Sequence, residues 1–206
     1  NPDKLRLPLG SIALISLAAL AYEVLLMRLF SIIQWHHFAY MVISLALLGY
    51  GASGTFLTLT QDRLLARFPA AFVTNLLLFA VSAVVCYIAA QHLPFNSEEL
   101  LWDWQQWLVL SAVYVLLALP FFFAANAVAL NLVHFGRHTS RVYAADLVGA
   151  GCGSAAVIAL LFVALPQDAL RWTAFAGILA SAVAWLELRI RPRVAALPIL
   201  LLGSAI

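Results

Sequence analysis

Seven apolar runs, each close to the length of a membrane-spanning helix, alternate along the chain with short polar or basic segments. They cover residues 9–33, 38–60, 69–90, 104–134, 140–165, 168–189 and 195–206, the last of which is incomplete. An α-helix needs about 20 apolar residues to cross the roughly 30 Å of hydrocarbon in a bilayer. Only 10% of the 206 residues are charged, whereas soluble domains carry about 25%. The sequence therefore predicts an all-α fold: a polytopic integral membrane helical bundle over residues 1–206, with about seven transmembrane helices.

The fourth apolar run is longer than a straight membrane crossing requires. At 1.5 Å per residue, a helix over residues 104–134 would extend about 46 Å, which is still too short for a hairpin of two crossings. Proline removes a backbone hydrogen-bond donor and bends a helix. We therefore expect one long helix that is kinked or tilted at Pro120.

The positions of the basic residues predict the orientation of the bundle. Nine of the eleven lysines and arginines precede the first run or fall between the second and third, fourth and fifth, or sixth and seventh runs. Lys and Arg concentrate in cytoplasmic loops, so the N-terminus is predicted to be cytoplasmic, in what we expect to be a bacterial inner membrane. Most of the tryptophans map to the opposite interface, where their amphipathic rings favour the headgroup level.

Small residues at helical spacing occur in the second and fifth runs. Gly49 and Ser53, and likewise Gly149 and Gly153, are four residues apart and so share one helix face. In lipid, such residues let two helix backbones approach closely. Residues 49–54 also match the pattern GxGxxG, but a dinucleotide site needs that pattern between a strand and a helix. We therefore interpret these four residues as helix-packing positions.

Two charged residues, Glu23 and Arg28, lie inside the first apolar run. A charge within the bilayer costs at least about 2.5–3.5 kcal/mol unless it faces the bundle interior and finds a partner. Five residues apart, the two side chains are separated by about 140° around a helix, so each is expected to reach a different neighbouring helix. The sequence leaves open whether they form a polar cavity, an ion path or ligand site, or a structural clamp.

A second polar group is expected near the cytoplasmic ends of the fourth and fifth runs. Asp146 and Tyr143 lie early in the fifth run, and Asn126 and Asn131 reach a similar depth in the fourth. These side chains are candidates for one polar cluster. It would either hydrogen-bond neighbouring helices together or offer a carboxylate to something arriving from the cytoplasm.

The sequence carries no recognised motif of catalysis or cofactor binding. It has no GxSxG, HExxH, Walker or kinase pattern, so we assign no catalytic residue and no cofactor to it. His134 and His138 have the i, i+4 spacing of metal ligands but no third ligand nearby, so no metal site is predicted. Cys86 and Cys152 lie in apolar runs and are interpreted as packing residues. The basic residues are scattered, which gives no support to a nucleic-acid partner.

Five short blocks resemble the transmembrane region of membrane-bound spermidine-synthase-like proteins. They are YEVLLMRLF at 22–30, HFAY at 37–40, SLALLGYGA at 44–52, PFF at 120–122 and YAADLVGA at 143–150. The resemblance extends over about residues 9–190. It implies a membrane bundle followed by a cytoplasmic Rossmann domain, which in catalytic relatives transfers an aminopropyl group from decarboxylated S-adenosylmethionine to putrescine. It marks Glu23, Arg28 and Asp146 as motif positions without giving their roles.

Three hypotheses about function follow. The first is the membrane domain of a spermidine-synthase-like protein, embedded in the lipid bilayer, which anchors a C-terminal soluble domain and handles a polyamine-like cation. Whether the whole protein is an enzyme stays open, because no catalytic domain lies in residues 1–206. The second is a non-enzymatic accessory subunit that docks to other membrane subunits through its small-residue faces. The third is a transporter for a small molecule or ion with embedded charges along its path, although neither inverted repeats nor paired broken helices support it strongly.

Overall fold

The computed structural model describes residues 6–33, 39–96 and 99–188, and over those ranges its regular structure is entirely helical. The long helices are α1 Leu9–Ile33, α2 Ala39–Ala66, α3 Phe68–Gln91, α4 Trp104–His134, α5 Thr139–Leu161 and α6 Pro166–Glu187. Short 3-10 turns, Glu99–Leu101 and Gly136–His138, precede α4 and α5. Within the described ranges, six helices are long and apolar enough to cross a membrane, which indicates a multi-pass integral membrane protein. The seventh predicted run, 195–206, lies outside the described residues.

Helix α4 is a single helix although proline interrupts its backbone hydrogen bonding. It runs from Trp104 to His134 with Pro120 inside it. Its first turn is capped by Asp103, whose carboxylate accepts a hydrogen bond from the Gln105 backbone N–H at 2.9 Å. Such a cap satisfies one of the backbone donors that every helix start leaves free. The long fourth run therefore forms one helix, and α4 supplies a continuous wall along the bundle.

Helix α2 continues past the end of its apolar run. The run ends near residue 60, whereas α2 ends at Ala66 and only Arg67 separates it from α3. The added turn contains polar side chains and good helix formers, so it can stay helical outside an apolar environment. Pro69 lies in the first turn of α3, where a missing backbone N–H leaves no hydrogen bond unmade.

Helix α1 lies between α5 and α6 and makes its most extensive contacts with them. Helix α3 packs between α6 and α4, and α2 packs against α4. One end of the bundle, here called the basic end, holds the starts of α1, α3 and α5. Its arginines among the described residues are Arg6, Arg63, Arg67, Arg137 and Arg141. The other end, here called the tryptophan end, holds Trp102, Trp104, Trp107 and Trp172. Helices α4 and α5 touch only sparsely, so a groove opens between them.

Glycines bring α5 unusually close to α1. A Cβ atom added to Gly149 would overlap the backbone of Ala13, and one added to Gly153 would overlap the backbone of Leu17. In lipid, contact between backbones replaces the hydrophobic effect as a source of helix association. The two glycines therefore fix α5 against the basic half of α1.

A carboxylate from the end of α6 holds the start of α1. Glu187 accepts hydrogen bonds from the backbone N–H groups of Gly10 at 2.9 Å and Ser11 at 3.2 Å. It also accepts one from the Ser11 hydroxyl at 2.7 Å. The two N–H groups belong to the first turn of α1 and have no acceptor inside the helix. The positive end of the helix dipole also favours an anion at this position. The contact fixes the end of α6 beside the start of α1.

Candidate functional site

A groove of about 300 Å³ opens between α4 and α5 in the basic half of the bundle. Helix α1 forms its floor, and Tyr50 reaches it from α2. Its polar lining residues are Ser16, Tyr50 and Asp146, and the remaining lining residues are apolar. Five of those are alanines: Ala19, Ala124, Ala125, Ala129 and Ala150. The small side chains keep the groove open and leave three polar side chains to determine what it can bind.

Asp146 of α5 is fixed at the groove by a hydroxyl of α1. The Ser16 hydroxyl lies 2.5 Å from the Asp146 Oδ1 atom and 2.9 Å from the Ile12 carbonyl oxygen, so its single hydrogen serves two acceptors. Ser16 is buried, whereas Asp146 is half-buried. A hydrogen bond from one hydroxyl satisfies only part of a carboxylate, which can accept about four. The rest of the Asp146 carboxylate is available to a ligand in the groove.

A second carboxylate, Glu23, lies on the same face of α1 as the groove floor. It follows Ser16 by seven residues, which places it about 10 Å further along the helix axis on nearly the same face. The phenol of Tyr50 lies within electrostatic range of both the Glu23 and the Asp146 carboxylates. The groove region therefore carries two acidic groups at different depths, both within electrostatic range of one phenol.

No basic side chain neutralises these two acids within the part of the chain that the structure describes. Arg28 is exposed on α1, and the ion pair found among the described residues joins Arg171 to Asp168 at 3.3 Å. The lining of the groove contains no Lys, Arg or His. Carboxylates inside a membrane domain almost always pair with something. The arrangement suits a positively charged ligand or a proton, and its electrostatics oppose an anion.

The four residues expected to form one polar cluster with one another take separate positions. Asn126 donates a hydrogen bond across to the side chain of Asn75 on α3 at 3.0 Å. Asn131 is fully buried and donates to the Ala127 carbonyl of its own helix at 2.8 Å. Tyr143 is more than half exposed on α5. Of the four, Asp146 alone lines the groove, and neither asparagine of α4 is part of its lining.

The residues interpreted as packing positions divide into two contacts. Gly149 and Gly153 lie against α1, as described above. Gly49 lies against α4, where an added Cβ would come within 2.7 Å of the Ala118 carbonyl oxygen, and Ser53 is fully buried on the same helix. In contrast, Gly51 and Gly54 face open space, with no atom within 4 Å of an added Cβ. The contact at Gly49 fixes α2 against α4 and so positions Tyr50 beside the groove.

The histidines and cysteines among the described residues lie outside the lining of the groove. His134 stacks on Phe68 with ring centroids 3.9 Å apart, and His138 is exposed in the turn before α5. Cys86 is buried in α3 and Cys152 is exposed on α5. Over the described residues, no three side chains of the His, Cys, Asp or Glu types come together as metal ligands would.

Three structurally important residues escaped the sequence reasoning. Ser16, Asn75 and Glu187 each make an interhelical hydrogen bond, to Asp146, to Asn126 and to the start of α1 respectively. Ser16 and Asn75 carry a weak signal in the sequence, because each is a polar residue inside an otherwise apolar run. Glu187 gave no comparable signal, because an acidic residue at a helix end is ordinary. Which helix each one meets depends on packing that a single sequence does not reveal.

Comparison of the chain with protein-family models, curated proteins and solved structures finds no match.

Proposed function

We propose that this chain is the membrane domain of a spermidine-synthase-like protein and that its acidic groove receives a polyamine-like cation. The observation that carries the proposal is the groove itself, which is lined by the Asp146 carboxylate, the Tyr50 phenol and no basic residue, with the Glu23 carboxylate within electrostatic range of that phenol. A cation would replace the missing counter-charge and reduce the cost of holding Glu23 and Asp146 inside a membrane domain.

The arrangement of the resembling blocks supports the same proposal. Glu23, Tyr50 and Asp146 belong to three blocks that are far apart in the sequence. Tyr50 and Asp146 nevertheless line one groove, and Glu23 lies within electrostatic range of Tyr50. A fourth block contributes Phe121, whose ring meets that of Tyr50 edge-on at 6.2 Å, and whose Cβ lies against Gly49. A shared binding site explains why these particular segments would carry the resemblance.

The wider architecture completes the proposal. The bundle lies in a bacterial inner membrane with its N-terminus and basic end in the cytoplasm, and a seventh span begins near residue 195. The chain then continues into a cytoplasmic catalytic or pseudo-catalytic Rossmann domain outside residues 1–206. The excess of arginine at one end and of tryptophan at the other supports this orientation. A complete reading frame that ends shortly after residue 206 would overturn the anchoring role.

Equilibrium binding of radiolabelled spermidine to the full-length protein in lipid nanodiscs tests the cation site. Glu23→Gln and Asp146→Asn each remove one charge at nearly constant volume, and each is expected to weaken binding by about tenfold or more. Asp62→Asn, which removes an exposed carboxylate on α2, serves as the matched control. Equal affinity in all four proteins would refute the site.

The second candidate, an accessory subunit of a larger membrane complex, is favoured by one surface of α2. Gly51 and Gly54 face open space, and neighbouring Thr55 and Thr58 turn their hydroxyls onto their own helix carbonyls. Such a face can accept another helix at short range. This candidate predicts other membrane subunits in stoichiometric amount after mild purification, whereas the cation proposal requires none.

A further inference from the structure

Helices α5 and α6 leave a second depression between them, here called the furrow, with a volume of about 300 Å³. Both helices pack on α1 but touch each other only sparsely, so α1 forms the floor of the furrow. The lining falls within residues 17–21, 156–160 and 172–176 and is made almost entirely of apolar side chains. Its hydroxyl, on Thr173, donates to the Leu170 carbonyl oxygen of its own helix at 2.7 Å. The furrow therefore suits an apolar ligand.

A polar surface, here called the shelf, adjoins the furrow at the tryptophan end. It consists of residues 163–165 between α5 and α6 and of one face of the first turns of α6, which carries Asp168 and Arg171. Trp172 lines both the shelf and the furrow, so the two are continuous. Tryptophan rings favour the headgroup level of a bilayer. We therefore expect the shelf to lie at the level of the lipid headgroups and the furrow to extend from it to the level of the lipid chains.

The two charged side chains of the shelf use little of their hydrogen-bonding capacity on each other. Within the described part of the chain, Arg171 and Asp168 share a single contact at 3.3 Å, and their side chains are 83% and 52% exposed. A guanidinium has five N–H donors, and a carboxylate can accept about four hydrogen bonds. Arg171 can therefore bind a phosphate while Asp168 binds an ammonium group beside it.

We propose that the shelf and the furrow together bind one molecule of phosphatidylethanolamine. Its phosphate lies against Arg171, its ammonium group lies against Asp168, and the first part of one acyl chain fills the furrow below Trp172. Arginine suits the phosphate because its planar N–H groups bind phosphate oxygens in pairs. The proposal requires only that these helices span a membrane, so it is independent of the acidic groove between α4 and α5.

Charge complementarity favours this headgroup over those of other phospholipids. Asp168 and Arg171 place opposite charges side by side, as the ammonium and the phosphate of phosphatidylethanolamine do. Phosphatidylglycerol has no cation for Asp168 and brings a phosphate close to that carboxylate. Phosphatidylcholine has a cation, but its quaternary nitrogen has no N–H to donate. The shelf therefore distinguishes the three lipids by their headgroups alone.

The dimensions of the furrow favour an acyl chain over a helix from another protein. On each of the three helices the lining residues span four positions, or about 6 Å along the axis. A helix with its side chains is about 10–12 Å across, so it would not fit into a depression of this length. At the rim, the exposed ring of Trp172 meets Phe175 edge-on at 6.1 Å, and these bulky rings would keep a second backbone at a distance. A single hydrocarbon chain has no such conflict.

Photolabelling of the full-length protein in phosphatidylcholine nanodiscs tests the site. Three photoreactive lipids share one diazirine-bearing acyl chain and differ only in their headgroup, which is ethanolamine, glycerol or choline. Each is added at the same low mole fraction, and the labelled residues are mapped by mass spectrometry. Ala156→Phe places a ring in the furrow from an exposed position, and Ala155→Phe, exposed on the same helix but outside the lining, is the matched control.

The ethanolamine lipid is expected to label residues 156–160 and 172–176 in clear excess over the exposed faces of α2. This labelling should fall several-fold in Ala156→Phe and stay unchanged in Ala155→Phe. Equal labelling of all exposed apolar faces, or equal labelling in the two variants, would overturn the furrow as a lipid site. Absence of label from the furrow would do the same and would favour a protein partner there.

The headgroup preference is tested separately with exposed charges, whose removal leaves the interior of the bundle intact. The ethanolamine lipid should label the furrow at least about threefold more than the other two lipids, because exposed ion pairs contribute modestly. Asp168→Asn should abolish that preference, and Arg171→Gln should lower labelling by all three lipids. Asp62→Asn and Arg141→Gln, which remove exposed charges at the basic end, are the controls. Equal labelling by the three lipids in the unmodified protein would overturn the headgroup assignment.

Discussion

Replacing glycines of α5 by alanine should change stability in opposite directions within a single helix. Gly149 and Gly153 meet the backbone of α1, whereas Gly151, between them, has no atom within 4 Å of an added Cβ. Alanine therefore adds the same methyl group at two tight contacts with α1 and at one open position on α5. Gly151→Ala is the matched control for chemistry, helix and depth.

The expected magnitudes follow from two opposing effects. An added methyl at Gly149 or Gly153 overlaps backbone atoms, which cannot rotate away, so α5 and α1 must separate by roughly 1 Å to restore ordinary contact. Overpacking of this kind costs about 1–3 kcal/mol, and the better helix propensity of alanine returns up to about 1 kcal/mol. We expect a net loss of about 1–2 kcal/mol at each site. At Gly151 the propensity gain alone remains, up to about 1 kcal/mol.

Thermal unfolding in detergent, followed by tryptophan fluorescence, measures these changes. For a chain of this size 1 kcal/mol shifts Tm by about 2–4 °C, so Gly149→Ala and Gly153→Ala should lower Tm by roughly 2–8 °C. Gly151→Ala should leave Tm unchanged or raise it by up to about 4 °C. Equal shifts of the same sign in the three variants would show that α5 does not meet α1 through this face, and the bundle described here would be wrong.

Three other measurements test different contacts. Glu187→Ala should destabilise the protein by about 2 kcal/mol in chemical unfolding, because the Gly10 and Ser11 N–H groups lose their acceptor while the Ser11 hydroxyl keeps only the Pro8 carbonyl oxygen. Asp62→Ala should be neutral, and equal effects would refute the cap. A double-mutant cycle over Asn75→Ala and Asn126→Ala should give a coupling energy of about 0.6 kcal/mol, and zero would refute that bond. Ser140→Cys should react with a membrane-impermeant maleimide only from the cytoplasm; labelling from the outside would reverse the proposed orientation.

The sequence predicted helix positions well where the bilayer sets them. Helix α1 covers the whole first apolar run, because run length and membrane thickness are linked by the rise of the helix. Helix α2 exceeds its run, since nothing in hydropathy marks the end of a helix that continues in a polar environment. The partner of Asp146 was not predicted, because Asn126 and Asn131 have the right depth but make their hydrogen bonds elsewhere, to Asn75 and to the Ala127 carbonyl oxygen. The depth of a residue in the membrane follows from its position along one chain. The neighbouring helix that its side chain meets depends on how several helices pack.

Because a single sequence does not show how the helices pack, it presents the packing glycines and the polar residues as separate features. Serine and aspartate have short side chains, so the hydrogen bond between Ser16 and Asp146 requires the backbones of α1 and α5 to lie very close together. Gly149, one turn beyond Asp146 on α5, provides that closeness by meeting Ala13 of α1. The glycine contact therefore sets the position of the carboxylate as well as the strength of the helix pair. A substitution at Gly149 perturbs the groove together with the packing, and binding data on such a variant report both.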